Sequence, residues 1–104
     1  MISQPPPGDR LLHVTTRWAW ESARPLGLYE ADTLAAEGFI HCCTQEQLAG
    51  VLERYFKGRE DLMLLSIDPA RVTSEIRWEG GFPHVYGPLE VEAVASASPL
   101  ASAS

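Results

Sequence analysis

Six consecutive residues, Leu62-Met63-Leu64-Leu65-Ser66-Ile67, carry five apolar side chains and run straight into Asp68-Pro69. The run is too short for a typical helix and too evenly apolar for a strand with one wet face. It reads as a central strand covered on both sides and closed by a turn. A chain built around such a strand needs partners along both of its edges and further layers above and below it. Leu11 to Thr15 supplies one candidate partner. Glu75-Ile76-Arg77-Trp78-Glu79 supplies another, its strict alternation aiming Ile76 and Trp78 inward and three charges outward before Gly80-Gly81 turns the chain. Phe39 to Cys42 reads as a strand, and the stretch from Val94 is weakly strand-like.

Helical signals separate these strands. Thr16 can cap a helix over Arg17 to Arg24, stopped by Pro25 and Gly27 and anchored by Trp18 or Trp20. Asp32 to Glu37 predicts one or two turns closed by Gly38. Thr44 and Gln47 have the spacing of a capping box, and Leu48, Val51, Leu52, Tyr55 and Phe56 then form a core-facing stripe that Gly58 ends. Phe82 to Leu89, with two prolines and a glycine, reads as an aromatic loop without regular structure. The predicted fold class is α+β: a single small domain over residues 11–100, a mixed or antiparallel twisted sheet with a few short helices. A Pro-rich extended lead-in occupies residues 1–10 and a frayed tail residues 101–104.

Composition excludes several partners. Fourteen acidic against eight basic residues give a formal charge of -6, which opposes the counterion release that drives binding to phosphate backbones. Bulk nucleic acid is therefore not expected. The first residues lack the basic and apolar regions of a signal peptide, and no apolar run approaches membrane-spanning length, so a cytoplasmic protein with no membrane partner is expected. Cys42 and Cys43 are neighbours, and a bridge between them would close a strained ring, so both read as reduced thiols.

The chain has three histidines, each inside a short apolar or aromatic segment: His13, His41 and His84. Buried imidazole is costly unless both ring nitrogens find partners, and three such placements suggest one shared polar site. Alternation would put Phe39, His41 and Cys43 on one face, with Thr44 at the mouth of the helix that follows. His13 and Thr15 would likewise share a side of their strand. His84 and Tyr86 would line the site from the aromatic loop. His41 and His13 are the expected catalytic residues, and Thr15, Cys43, Thr44, His84 and Tyr86 the expected ligand-binding ones. Zinc is not expected, since the sequence holds no H-E-x-x-H, no C-x-x-C and no nearby ligand pair. Glu79 and the Glu90-Val91-Glu92 string read as ordinary exposed acidic residues.

The strings Trp20-Glu21, Gly27 with Tyr29, Leu34 to Thr44 (L-A-A-E-G-F-I-H-C-C-T), the Y-F-K-G-R-E-D stretch ending at Asp61, Arg77-Trp78-Glu79 and Phe82 to Leu89 together resemble the bacterial family known as domain of unknown function 952. The resemblance spans about Leu11 to Leu100. It implies an ADP-ribosyltransferase-like fold, related also to RNA 2'-phosphotransferases, and a ligand such as NAD, ADP-ribose or a related small nucleotide. On that kinship His13 would touch the nucleotide ribose and the Gly38 to Thr44 segment would line the nicotinamide end, with ADP-ribosyl or phosphoryl transfer as the reaction class. Two other functions compete. One pairs His13-Val14-Thr15 with His41-Cys42-Cys43 as the acid and base of a two-histidine phosphoesterase; the other is a non-catalytic ligand-binding or interaction module.

Overall fold

The computed structural model describes residues 10–100; the predicted lead-in, apart from Arg10, and the tail from residue 101 lie outside them. The apolar run forms strand β4 (Leu62–Ile67). It lies between β1 (Leu11–Thr16) and β8 (Val94–Pro99), both antiparallel to it. A second three-stranded sheet has β6 (Phe82–Tyr86) at its centre, with β3 (Ile40–His41) on one edge and β5 (Glu75–Glu79) on the other. The short strands β2 (Leu28–Tyr29) and β7 (Leu89–Glu90) pair separately. Every pairing is antiparallel. Leu12 and Cys43 exchange two backbone hydrogen bonds of 2.8 Å, which tie the β1 sheet to the end of β3.

The helices follow their caps. Thr16 accepts from the Ala19 N–H at 3.1 Å and starts α1 (Arg17–Ala23), which buries Trp20 and Ala23 and leaves Trp18 exposed. The anchor is thus Trp20 alone. Gly38 closes α2 (Asp32–Glu37) at φ 91°, a conformation that a Cβ would strain. The Thr44–Gln47 capping box is present, and it opens a tight turn over Gln45–Gln47 that continues into α3 (Leu48–Tyr55). The α3 stripe is less deeply covered than its periodicity predicts. Leu48, Val51, Leu52 and Phe56 are half-buried and Tyr55 is exposed, because two turns lying on the surface present only part of the stripe to the core and a phenol keeps its hydroxyl in water.

Ile40, Leu65, Ile67, Val85 and Leu89 are wholly buried and draw all three sheets into one core, against which Ile76 and Trp78 pack from β5. Removing one such side chain to alanine costs about 2–5 kcal/mol.

The segment read as an irregular loop is instead the central strand β6. Its register is set by the two-residue turn Gly80-Gly81, both at positive φ, which pairs Glu79 with Phe82, Arg77 with His84 and Glu75 with Tyr86. Pro83 is tolerated there because β3 is short. Its carbonyl accepts from the Cys42 N–H at 3.0 Å, just past the end of β3, where the missing proline N–H breaks no ladder bond.

Candidate active site

The solvent side of the β3–β6–β5 sheet collects the groups that carry chemistry. Register places Arg77, His84 and His41 in one row across the three strands. The His41 and His84 rings lie 5.3 Å apart, edge to face. Phe39 stacks on His84 at 4.2 Å and leans against both His41 and Tyr86, at 4.7 and 5.1 Å. The Arg77 guanidinium sits 4.4 Å above the Tyr86 ring.

Each imidazole of the pair is held by a carboxylate. His41 Nε2–H donates to Glu37 at 3.0 Å, and His84 Nδ1–H donates to Glu79 at 2.9 Å. The Tyr86 hydroxyl donates to the same Glu79 oxygen at 2.5 Å. That bond first, and the one from His84 second, hold the Glu79 carboxyl below the usual carboxylate range, so it is ionised near neutral pH. His41 Nδ1 and His84 Nε2 have no protein partner among the described residues. An imidazole with one nitrogen clamped by a carboxylate and the other open is oriented to take a proton on the open nitrogen when neutral and to give one from it when protonated.

His13 is placed differently. Its ring is buried, with both nitrogens engaged: Nδ1 is 2.6 Å from the His41 carbonyl oxygen and Nε2 is 2.8 Å from the Tyr29 hydroxyl. A carbonyl only accepts, so Nδ1 carries the proton and Nε2 accepts from Tyr29. Thr15, 2.8 Å from the Tyr29 oxygen, then donates to it. Burial is the main cause that lowers the His13 pKa from 6.5 to about 4, and it pushes the Tyr29 phenol up to about 12. The ring is therefore neutral at physiological pH. It fixes the backbone of His41 instead of facing solvent.

The expected site thus separates into two parts. His41, His84 and Tyr86 come together on the surface. His13, Tyr29 and Thr15 form a separate buried polar chain, joined to the surface through the His41 carbonyl. Cys43 is 2 % exposed and does not open onto the face that His41 occupies. The strand ends at His41, and Cys43 pairs instead with Leu12 along the free edge of β1, so the predicted strand stops two residues early. Burial pushes the Cys43 thiol up to about 11 and the Cys42 thiol higher still. Thr44 serves as the helix cap.

Phe39, Glu37, Glu79 and Arg77 complete the surface cluster; of these the sequence pattern points only to Phe39, as a face neighbour of His41. The glycine turn held the missing signal. Once Phe82–Tyr86 is a strand, pairing across Gly80-Gly81 forces Glu79 and Arg77 onto the face of His84. Among the described residues no three His, Cys, Asp or Glu side chains are grouped to hold a metal ion.

The profile of the family described as "Protein of unknown function (DUF952)" matches residues 14–97. The chain belongs to that family. The crystal structure of protein CC0527 from Caulobacter crescentus is similar, at 31% identity and a TM-score of 0.80, with 88% of this chain and 85% of that one covered. The solution NMR structure of the same protein gives 30% identity and a TM-score of 0.76, covering 88% and 84%. None of the curated proteins matches. The α+β arrangement of antiparallel sheets and short helices is therefore one that this family member shares. No helix among the described residues is long and apolar enough to cross a membrane.

Proposed function

We propose that this DUF952-family chain is an ADP-ribosyltransferase-like protein that binds NAD, ADP-ribose or a related small nucleotide on the solvent side of the β3–β6–β5 sheet. The observation that carries this reading is the mutual packing of the Phe39, His41, His84 and Tyr86 rings, two of which, His84 and Tyr86, donate to the ionised Glu79. Aromatic and imidazole rings offer stacking surface to a flat heterocycle, and nearby carboxylates favour one that is cationic, as the nicotinamide ring of NAD is. Glu79, fixed by two hydrogen bonds, is suited to face positive charge developing on a ribose as its glycosidic bond loosens. His41 and His84, each with an open nitrogen, are suited to guide the proton of an acceptor.

His13 enters this proposal through its grip on the His41 carbonyl, not through contact with ribose. A cytoplasmic location suits a nucleotide ligand and two reduced thiols.

Thermal unfolding with NAD, with ADP-ribose and with no ligand tests the reading. A ligand at 100 times its dissociation constant adds about 2.7 kcal/mol of stability, an upward shift on the order of 10 °C for a domain this small. His41→Ala should remove the shift. Unchanged melting of the wild-type protein at millimolar NAD and ADP-ribose would refute it, and would favour an interaction module.

A further inference from the structure

The two imidazole–carboxylate pairs support a second chemistry at the same surface. We infer that His41 and His84 form a general acid–base pair that hydrolyses a small cyclic phosphodiester, with a 2',3'-cyclic mononucleotide as the substrate class. It shares the nucleotide-binding surface of the proposal above but needs no NAD.

Three features point to this reaction. Both histidines keep one ring nitrogen open while a carboxylate orients the other. Ring centres 5.3 Å apart bring the two imidazoles close enough to serve one phosphoryl group, given hydrogen bonds of about 2.8 Å to its oxygens. Arg77 stands opposite His84 in the same row; its Nε–H and Nη2–H donate to Glu75 at 3.0 Å, and the guanidinium N–H groups that Glu75 leaves free can serve a non-bridging oxygen. Glu37 and Glu79 accept hydrogen bonds from the histidines and keep their negative charge, so a phosphate on this row is held by the open imidazole nitrogens and by Arg77 against those carboxylates. A formal charge of -6 over the whole chain still disfavours a long polyanion, which limits the substrate to a small molecule.

The step balances without metal, oxidant or co-substrate other than water. A water oxygen bonds to phosphorus as the bond from phosphorus to the ribose 2'-oxygen breaks. Neutral His41, the more exposed of the pair, takes the water proton on Nδ1. His84 as imidazolium, steadied by Glu79, gives its Nε2 proton to the leaving oxygen. Exchange with solvent resets both rings.

The test follows 2',3'-cyclic CMP by phosphorus NMR as it opens to the 3'-monophosphate, with the full chain and then with His41→Asn, His84→Asn, Glu37→Gln and Trp18→Ser. Wild-type protein should hydrolyse it with a bell-shaped pH dependence, and each histidine variant should be slower by about 100-fold or more. Glu37→Gln should lower the rate less and displace one limb of the pH profile, the mark of a positioning residue. Trp18→Ser, on the exposed side of α1, should match wild type. The inference is overturned if wild-type protein does not open the ring, if both histidine variants keep the full rate, or if dialysis against a chelator abolishes turnover. Melting with ADP-ribose separates the two proposals: a shift without hydrolysis defeats this one alone, and hydrolysis without a shift defeats the other alone.

Discussion

His13 is a buried base that the unfolded chain would protonate, and this gives the protein a specific weakness toward acid. Its pKa is about 4 in the fold against 6.5 for an unperturbed histidine. Between those values the unfolded chain binds the extra proton and the folded chain does not, so stability rises with pH across this window and falls as the pH drops through it. The contribution is fully present above about pH 7 and is lost progressively toward pH 4. A depression of this size corresponds to about 3 kcal/mol. That is a large share of the 5–15 kcal/mol that hold a typical domain together.

His13→Asn is the informative change. The Asn amide can still donate to the His41 carbonyl, and the Tyr29 hydroxyl can turn to Thr15, but nothing at position 13 titrates. Urea unfolding of both proteins at intervals from pH 7.5 to 4 gives two stability curves. Asp61, Glu75, Glu79 and Glu90, whose carboxyls are also held low, titrate in both proteins and cancel in the difference. The variant should be the weaker protein at pH 7.5, and the gap should narrow or reverse by about 3 kcal/mol on reaching pH 4. Parallel curves would show that His13 is not held neutral and would remove the basis for assigning its tautomer.

Three further outcomes follow from the same geometry. Tyr29→Phe leaves His13 Nε2 without its donor and Thr15 without its acceptor, and should cost about 1–3 kcal/mol in urea unfolding at pH 7.5. Gly87→Ala would drive a Cβ into Ser74 Oγ, which donates to the Pro88 carbonyl. It should lower the melting temperature, and adding Ser74→Ala should recover part of the loss. Both cysteines are buried and their thiols pushed up, so an aromatic disulfide reagent should modify neither in folded protein and both in denaturant; fast reaction in the fold would place a thiol at the surface.

Strand β6 is the element whose local composition points away from its structure. Phe82 to Leu89 carries two prolines and a glycine, which locally argue for a loop, yet Gly80-Gly81 dictates a two-residue hairpin whose second arm must be a strand. Following the turn to its register would have placed Glu79, Arg77 and His84 on one face. Trp18 and Trp20 were not separable by spacing alone, because only the direction of the core decides which face of a short helix is buried. His13 looked like a site residue because its neighbours are apolar. The same signal belongs to a histidine whose nitrogens are satisfied by a carbonyl 28 residues away and a phenol 16 away.

Local chemistry along the chain sets the individual elements: the β4 run, the Thr16 and Thr44 caps, the Gly38 stop and the Gly80-Gly81 turn. Each rests on hydrogen bonds and backbone angles among residues a few positions apart. Only the assembled fold brings His41 and His84 side by side, ties buried His13 to the His41 carbonyl, clamps the pair with Glu37 and Glu79, and buries Cys43. Those contacts join strands that are distant in the chain, and their geometry is fixed by which sheet edges meet over the shared core, a choice that no local pattern encodes.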